Sequence, residues 1–262
     1  MTEKRTQPDG AFGPRRPTLD HQRSMLLAAT ELDRFQAQLS RLPAADWRRP
    51  TACPAWDVRA LSSHVLAMAE MFSSFRRNAV QHLPANRAAK HGQVYIDALT
   101  ARQVADRQQL TPEQITQRLH TFAPRMLRWR TRAPGLMRNR AMPDAQPVSS
   151  DPDAATERWT FGFLFDTVLT RDAWMHRTDI AYATSQDLDL TADHDGVLVA
   201  EVVAEWSSRH SSPYRLVLTG PAGGSWSRGV GGESLQLDAI EFCRALAGRA
   251  PAPGLLAIPV PF

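Results

Sequence analysis

The stretch RWTFGFLFDTVLTRDAWMHRTDIAYAT, residues 158–184, has helical periodicity throughout, and it places charge on the surface that a packed helix buries. On a wheel of about 100° per residue, Phe161, Phe165, Val168, Asp172, His176, Asp179 and Ala183 fall within about 40° of one line. Gly162 weakens such a helix without breaking it. Burying a carboxylate without a partner costs several kcal/mol, so whatever packs on this face must bring a cation, a hydrogen-bond donor or a metal.

A second segment offers the same kind of group. In CPAWDVRALSSHVLAM, residues 53–68, Asp57 is placed to cap a helix, and His64 shares that helix's apolar stripe with Ala60, Leu61, Met68 and Met71. Asp172 and His176 are four residues apart, so their side chains lie one turn apart on one face and can grip a single ion. His64, from the neighbouring helix, is the natural third ligand. Two neutral imidazoles and one carboxylate suit Zn²⁺ first, with Ni²⁺, Fe²⁺ or Co²⁺ served by the same donors. Three protein ligands leave a fourth position open, the arrangement of a catalytic metal rather than a structural one. Asp179, three residues past His176, suits an acceptor for the outer ring N–H of a ligating histidine. Spacing alone leaves a second reading open, a buried Asp–His pair with Arg171 or Arg177 folded over it. Cys53 reads as a packed thiol, and Trp56, Trp159 and Trp174 read as core anchors, with an aromatic near Asp172 able to wall a pocket.

The rest of the chain divides around these elements. Residues 1–17 are polar, rich in Pro and Gly and without period, which predicts a disordered leader. Residues 18–185 read as a helical bundle, with helices over 19–42, from Asp57 to about residue 77, over 94–110 and from Thr111. Thr111-Pro112-Glu113-Gln114 has the layout of a capping box, and Pro124 is expected to kink or end that helix. A polar loop is expected near residues 82–92 and a long one over 133–153. Residues 186–262 read as a small α/β domain, with a helix over 193–209, strands at YRLVLTG and SLQL around a Gly-rich turn, and a helix over 238–248. The expected fold is thus α+β and mostly α, a four-helix bundle followed by a small α/β domain.

Composition narrows the function classes. The net charge is +4 with acids and bases interspersed, which argues against a nucleic-acid partner despite the basic pI. No run of eighteen apolar residues is present, so no membrane association is expected. Two cysteines are too few for a disulfide framework, which fits a reducing cytoplasm. Arginine outnumbers lysine heavily, only Lys4 and Lys90 being lysine, a usage that suggests a GC-rich bacterial genome.

The stretch DWRRPTACPAWDVRALSSHVLAM resembles the N-terminal signature of the mycothiol-dependent maleylpyruvate isomerase family, which is among the DinB-like metal-binding four-helix bundles. RDAWMHRTDIAYAT resembles that family's last bundle helix, and AIEFCRALAGRAPAPGLLAIPVPF its C-terminal domain. The resemblance implies a divalent metal on His64, Asp172 and His176, and mycothiol as thiol cosubstrate. It implies a small electrophilic or anionic substrate, with Arg249 of the terminal Gly-Arg pair helping to bind it. The carboxylate in the family is usually glutamate. Asp172 is one methylene shorter, which draws a bound ion toward its own helix or weakens the hold on it. The implied activities are isomerisation through thiolate addition, bond rotation and elimination, or S-transfer without elimination. Against both stands a non-catalytic ligand-binding or interaction protein that keeps the fold.

Overall fold

The computed structural model describes residues 13–74, 95–149 and 155–262. Most of the expected leader and the polar stretch at 82–92 lie outside the described residues, while the second helix, expected to reach about residue 77, ends at Met71 with Phe72 as its C-cap. The chain divides into two compact units, one of Leu19–Arg138 with Phe165–Gln186, the other of Asn139–Leu164 with Asp187–Phe262 and the described residues up to Thr18.

The first unit is a four-helix bundle. Its helices are α1 (His21–Ser40), α2 (Val58–Met71), α3 (Tyr95–Ala105), α4 (Pro112–Thr131), the single turn α5 (Gly135–Arg138) and α6 (Leu169–Thr184). Helix α1 packs on α4 and α6, and α2 packs on the same two from the opposite side, so the four close a ring. Helix α3 lies on α2. Phe35, Leu39, Leu61, Leu66, Ile115, Leu119, Trp174, Met175 and Ile180 fill the interior, each at most 2 % exposed.

The helix starts are written in short polar side chains. Asp20 Oδ1 accepts from Arg23 N at 2.9 Å, Asp57 Oδ1 from Ala60 N at 2.7 Å, and Thr111 with Gln114 forms both halves of a capping box. Helix α4 does not end at Pro124 but runs on to Thr131. Pro124 sits on its exposed face, where the carbonyl that loses its donor can meet water.

The last bundle helix begins three residues later than its periodicity predicts. Thr156–Glu157 is a short strand, β2, paired antiparallel with β1 (Gln146–Pro147), and Trp159 and Thr160 make single bridges to Arg15 and Ala141. Thr160 Oγ1 then accepts from Phe163 N at 3.1 Å, and the helix proper follows. Residues Phe163–Val168 form a wider, π-type turn before α6, which interrupts the constant step on which a single line from Phe161 to Ala183 rests. From residue 165 to 181 every residue is buried except Asp172.

In the second unit, α7 (Val197–Ser208) and α8 (Ala239–Leu246) accompany a sheet of β3 (Tyr214–Thr219), β4 (Gly224–Arg228) and β5 (Glu233–Asp238), in the order β4-β3-β5. Strand β3 pairs antiparallel with β4 and parallel with β5. Strand β4 lies inside the stretch that reads as a Gly-rich turn. Ser-Trp-Ser alternation carries its pairing, with Leu216 opposite Trp226, and a Cβ at Gly223 would lie 2.2 Å from Leu218 O. Residues 13–17, expected to belong to the leader, are tied down here. Arg15 bonds its backbone to Arg158 and Thr160 and its guanidinium to Glu157. Among the described residues no helix is long and apolar enough to cross a membrane.

Candidate metal centre

The loop ahead of α2 is closed before the helix begins. Thr51 Oγ1 accepts from Cys53 N at 3.1 Å and donates to Trp56 O at 2.8 Å, so Cys-Pro-Ala-Trp is a fixed turn ending at the Asp57 cap. That turn sets Trp56 over His64, rings stacked with centroids 5.0 Å apart, and 6.1 Å from His176.

The structure brings His64, Asp172 and His176 together, with one donor atom from each within 4.8 Å of the others. Asp172 Oδ1 is 3.6 Å from His64 Nε2 and 3.4 Å from His176 Nε2. Both histidines are buried, whereas the Asp172 side chain keeps 19 % of its exposure. The outer ring nitrogens are taken by acceptors. His64 Nδ1 is 2.9 Å from Gln103 Oε1, and His176 Nδ1 is 3.3 Å from Asp179 Oδ2. Asp179 is fully buried, and the same Oδ2 also accepts from the Cys53 thiol at 3.7 Å.

These partners fix the electronics. An amide or carboxylate oxygen only accepts, so each outer Nδ1 carries a proton. In neutral rings both Nε2 lone pairs then point at the Asp172 oxygen. Three acceptors facing one another repel unless a positive charge sits among them. Protons are one solution. Burial lowers the pKa of His176, but the Asp172 charge, with hydrogen bonds to Asp172, Asp179 and Cys53, raises it well above the ordinary imidazole value. Burial pushes Asp172 up, but the His176 charge and hydrogen bond, and then those of His64, hold it below the usual carboxylate range. A divalent cation is the other solution. It meets all three lone pairs at once and displaces the proton that His176 otherwise holds. The donor set fits such an ion, and the partial exposure of Asp172 leaves an approach from solvent.

Arg177, one of the two arginines able to cover the pair, instead donates to Glu31 at 2.7 Å. Arg249 belongs to the other unit. Gly248 (φ +72°) and Arg249 close α8, with Gly248 N on Ala245 O at 3.0 Å and Arg249 N on Arg244 O at 2.8 Å, while Arg249 Nη1 donates to Ala247 O at 2.8 Å. Gln103 is the site residue that sequence reasoning missed. Leu99 and Gln103 on α3 and Arg107 in the turn that follows it recur every four residues and are all buried, the same pattern of a polar residue in a buried stripe that singles out His64.

The family model for the mycothiol maleylpyruvate isomerase N-terminal domain matches residues 28–181. The chain belongs to this family. The matched span holds all three converging donors together with Asp179 and Gln103, and stops short of Arg249. Two solved structures share the fold of this maleylpyruvate isomerase family member across 88 % of its length and 90 % of theirs. One is a mycothiol-dependent maleylpyruvate isomerase (TM-score 0.55, 16 % identity), the other a histidine-to-alanine mutant of a mycothiol-dependent maleylpyruvate isomerase (TM-score 0.54, 13 % identity). No curated relative matches the sequence.

The stacking of Trp56 on His64 makes the site observable. Ni²⁺ or Cu²⁺ bound at His64 is expected to quench part of the tryptophan emission in a saturable titration, and Trp56→Phe should remove that part while the other six tryptophans remain. Equal saturable quenching in the variant would place the ion elsewhere.

Proposed function

We propose that the chain is a mycothiol-dependent enzyme in which His64, Asp172 and His176 hold one divalent cation, Zn²⁺ being the best match to the donors. The observation that carries this reading is the convergence of three acceptor atoms, two of them on buried histidines whose outer nitrogens are already engaged. Held by these residues, such an ion would supply the Lewis acidity that keeps a thiol ionised near neutral pH. Family membership supports mycothiol as that thiol.

The residues of the chain have separate tasks in this scheme. Asp172 contributes the one negative charge among the three donors and lies where the buried helix opens. His176 is oriented by Asp179, which accepts the hydrogen bond from Nδ1–H and so leaves the Nε2 lone pair directed toward the centre. Trp56 covers the His64 ring and brings an apolar face within 6.1 Å of His176. The mycothiol thiolate would add to an activated double bond of a small electrophile, its π electrons moving to the activating group; rotation and expulsion of the thiolate give the isomer, whereas uptake of a proton at the adduct carbanion keeps the new C–S bond and gives a transferase product. Arg249 is assigned to an anionic group of the substrate, on the resemblance of its Gly-Arg pair to the family's.

Two sets of variants test this. Calorimetric titration with Zn²⁺ should show Asp172→Ala weakened by more than the roughly 10–100-fold that loss of an outer partner costs, with turnover lost alongside. Asp172→Glu should keep or improve affinity. Equal affinity in the wild type and Asp172→Ala would remove Asp172 from the site and favour the non-catalytic reading. Arg249→Ala removes a charge-assisted bond of about 1.5–3 kcal/mol, so KM for an anionic substrate should rise roughly 10–100-fold with Zn²⁺ affinity unchanged. An unchanged KM would leave Arg249 as the closing residue of α8.

A further inference from the structure

We infer that Gln103 is a positioning residue of the same centre, fixing His64 in the tautomer that can hold a cation and keeping the site free of excess charge. The inference rests on the metal reading above and extends it to α3, whose own sequence carries no recognised ligand.

A histidine can present Nε2 to a cation only if its remaining ring proton is on Nδ1. In His64 that proton is directed by Gln103 Oε1 at 2.9 Å. Gln103 is 1 % exposed, so no bulk water competes for this bond. The amide is held the right way round by its other end, because Nε2 faces the sulfur of Met68 at 3.5 Å and that of Met71 at 4.0 Å. Those sulfurs are weak acceptors that suit an N–H and would be poor neighbours for a carbonyl oxygen. The backbone around Gln103 is anchored as well. Its carbonyl accepts from Arg107 Nη1 at 2.8 Å, and Arg107 Nη2 is paired with buried Glu70 of α2 at 2.5 Å. Arg118 of α4 pairs with the other oxygen of Glu70. The helix that carries Gln103 is thereby tied to the helix that carries His64.

The two histidines are therefore supported unequally. His176 is backed by a carboxylate and His64 by a neutral amide. With Asp172 in front and Asp179 behind, one dication brings the buried group to zero net charge, and a neutral residue at position 103 keeps it there. A third carboxylate would leave an excess negative charge in a buried site, which is costly unless an ion offsets it.

Gln103→Leu and Gln103→Glu test this against the wild type, with two readouts. In metal-free, ¹⁵N-histidine-labelled protein at alkaline pH, His64 of the wild type should show the signature of a protonated Nδ1 and a bare Nε2. Gln103→Leu should lose that preference, and Gln103→Glu, which keeps an acceptor in place, should retain it. In calorimetric titration, Gln103→Leu should bind Zn²⁺ roughly 10–100-fold more weakly, and Gln103→Glu at least as tightly as the wild type. Unchanged tautomer and affinity in Gln103→Leu would overturn the inference while leaving the metal reading intact. Should the wild type show the tautomer and bind no Zn²⁺, the metal reading fails and Gln103 keeps its orienting role.

Discussion

Two imidazole nitrogens and one carboxylate oxygen point at the same place, and the rest of the bundle is organised around that repulsion. Each ring has its outer proton claimed, His64 by Gln103 and His176 by Asp179, so neither can turn its N–H inward to relieve the contact with Asp172. Positive charge has to enter the site from outside. Protons supply it one at a time, as the raised pKa of His176 reflects, while a dication satisfies all three acceptors together. A protonated imidazole beside Asp172 makes a buried polar pair, whereas a dication bound there would make a ligand site, and the two differ in what enters from outside.

The helical ring explains why this repulsion can be maintained. The π-type turn and α6 are buried from residue 165 to 181 apart from Asp172, so the carboxylate is held in a packed helix and still meets solvent. Helix α2 comes to it already started, its first turn capped by Asp57 and its preceding loop locked by Thr51. The loop lock also delivers Trp56 to the His64 ring and the Cys53 thiol to Asp179. One short segment, residues 51–57, thus sets the helix start, the aromatic cover and part of the outer hydrogen-bond network.

Much of this was legible in the sequence because a polar residue in an apolar helical stripe is a strong signal. His64, Asp172, His176 and Asp179 each stand in such a stripe, and the geometry brings them together. The Thr111 capping box and the Asp57 cap gave the starts of α4 and α2 for the same local reasons. Gln103 stood in a similar stripe, yet a buried glutamine carries no charge that demands an answer, so its spacing did not stand out. The strand at residues 224–228 was hidden by its glycines, which read as a turn when their real task is close backbone approach. The late start of the last helix was hidden as well, because Trp159 and Thr160 fit the helical period but are held by bridges to Arg15 and Ala141, partners far off in sequence.

Cys53, Asp179 and the Nδ1 side of His176 form a competing set, with donor atoms also within 4.8 Å of one another. X-ray absorption at the zinc edge of Zn²⁺-loaded, thiol-free protein separates the two directly. The account predicts nitrogen and oxygen neighbours only, at about 2.0–2.2 Å, with the outer-shell pattern of two imidazoles, and one sulfur at about 2.3 Å after a thiol is added. A sulfur neighbour before any thiol is present, or a single imidazole, would contradict it.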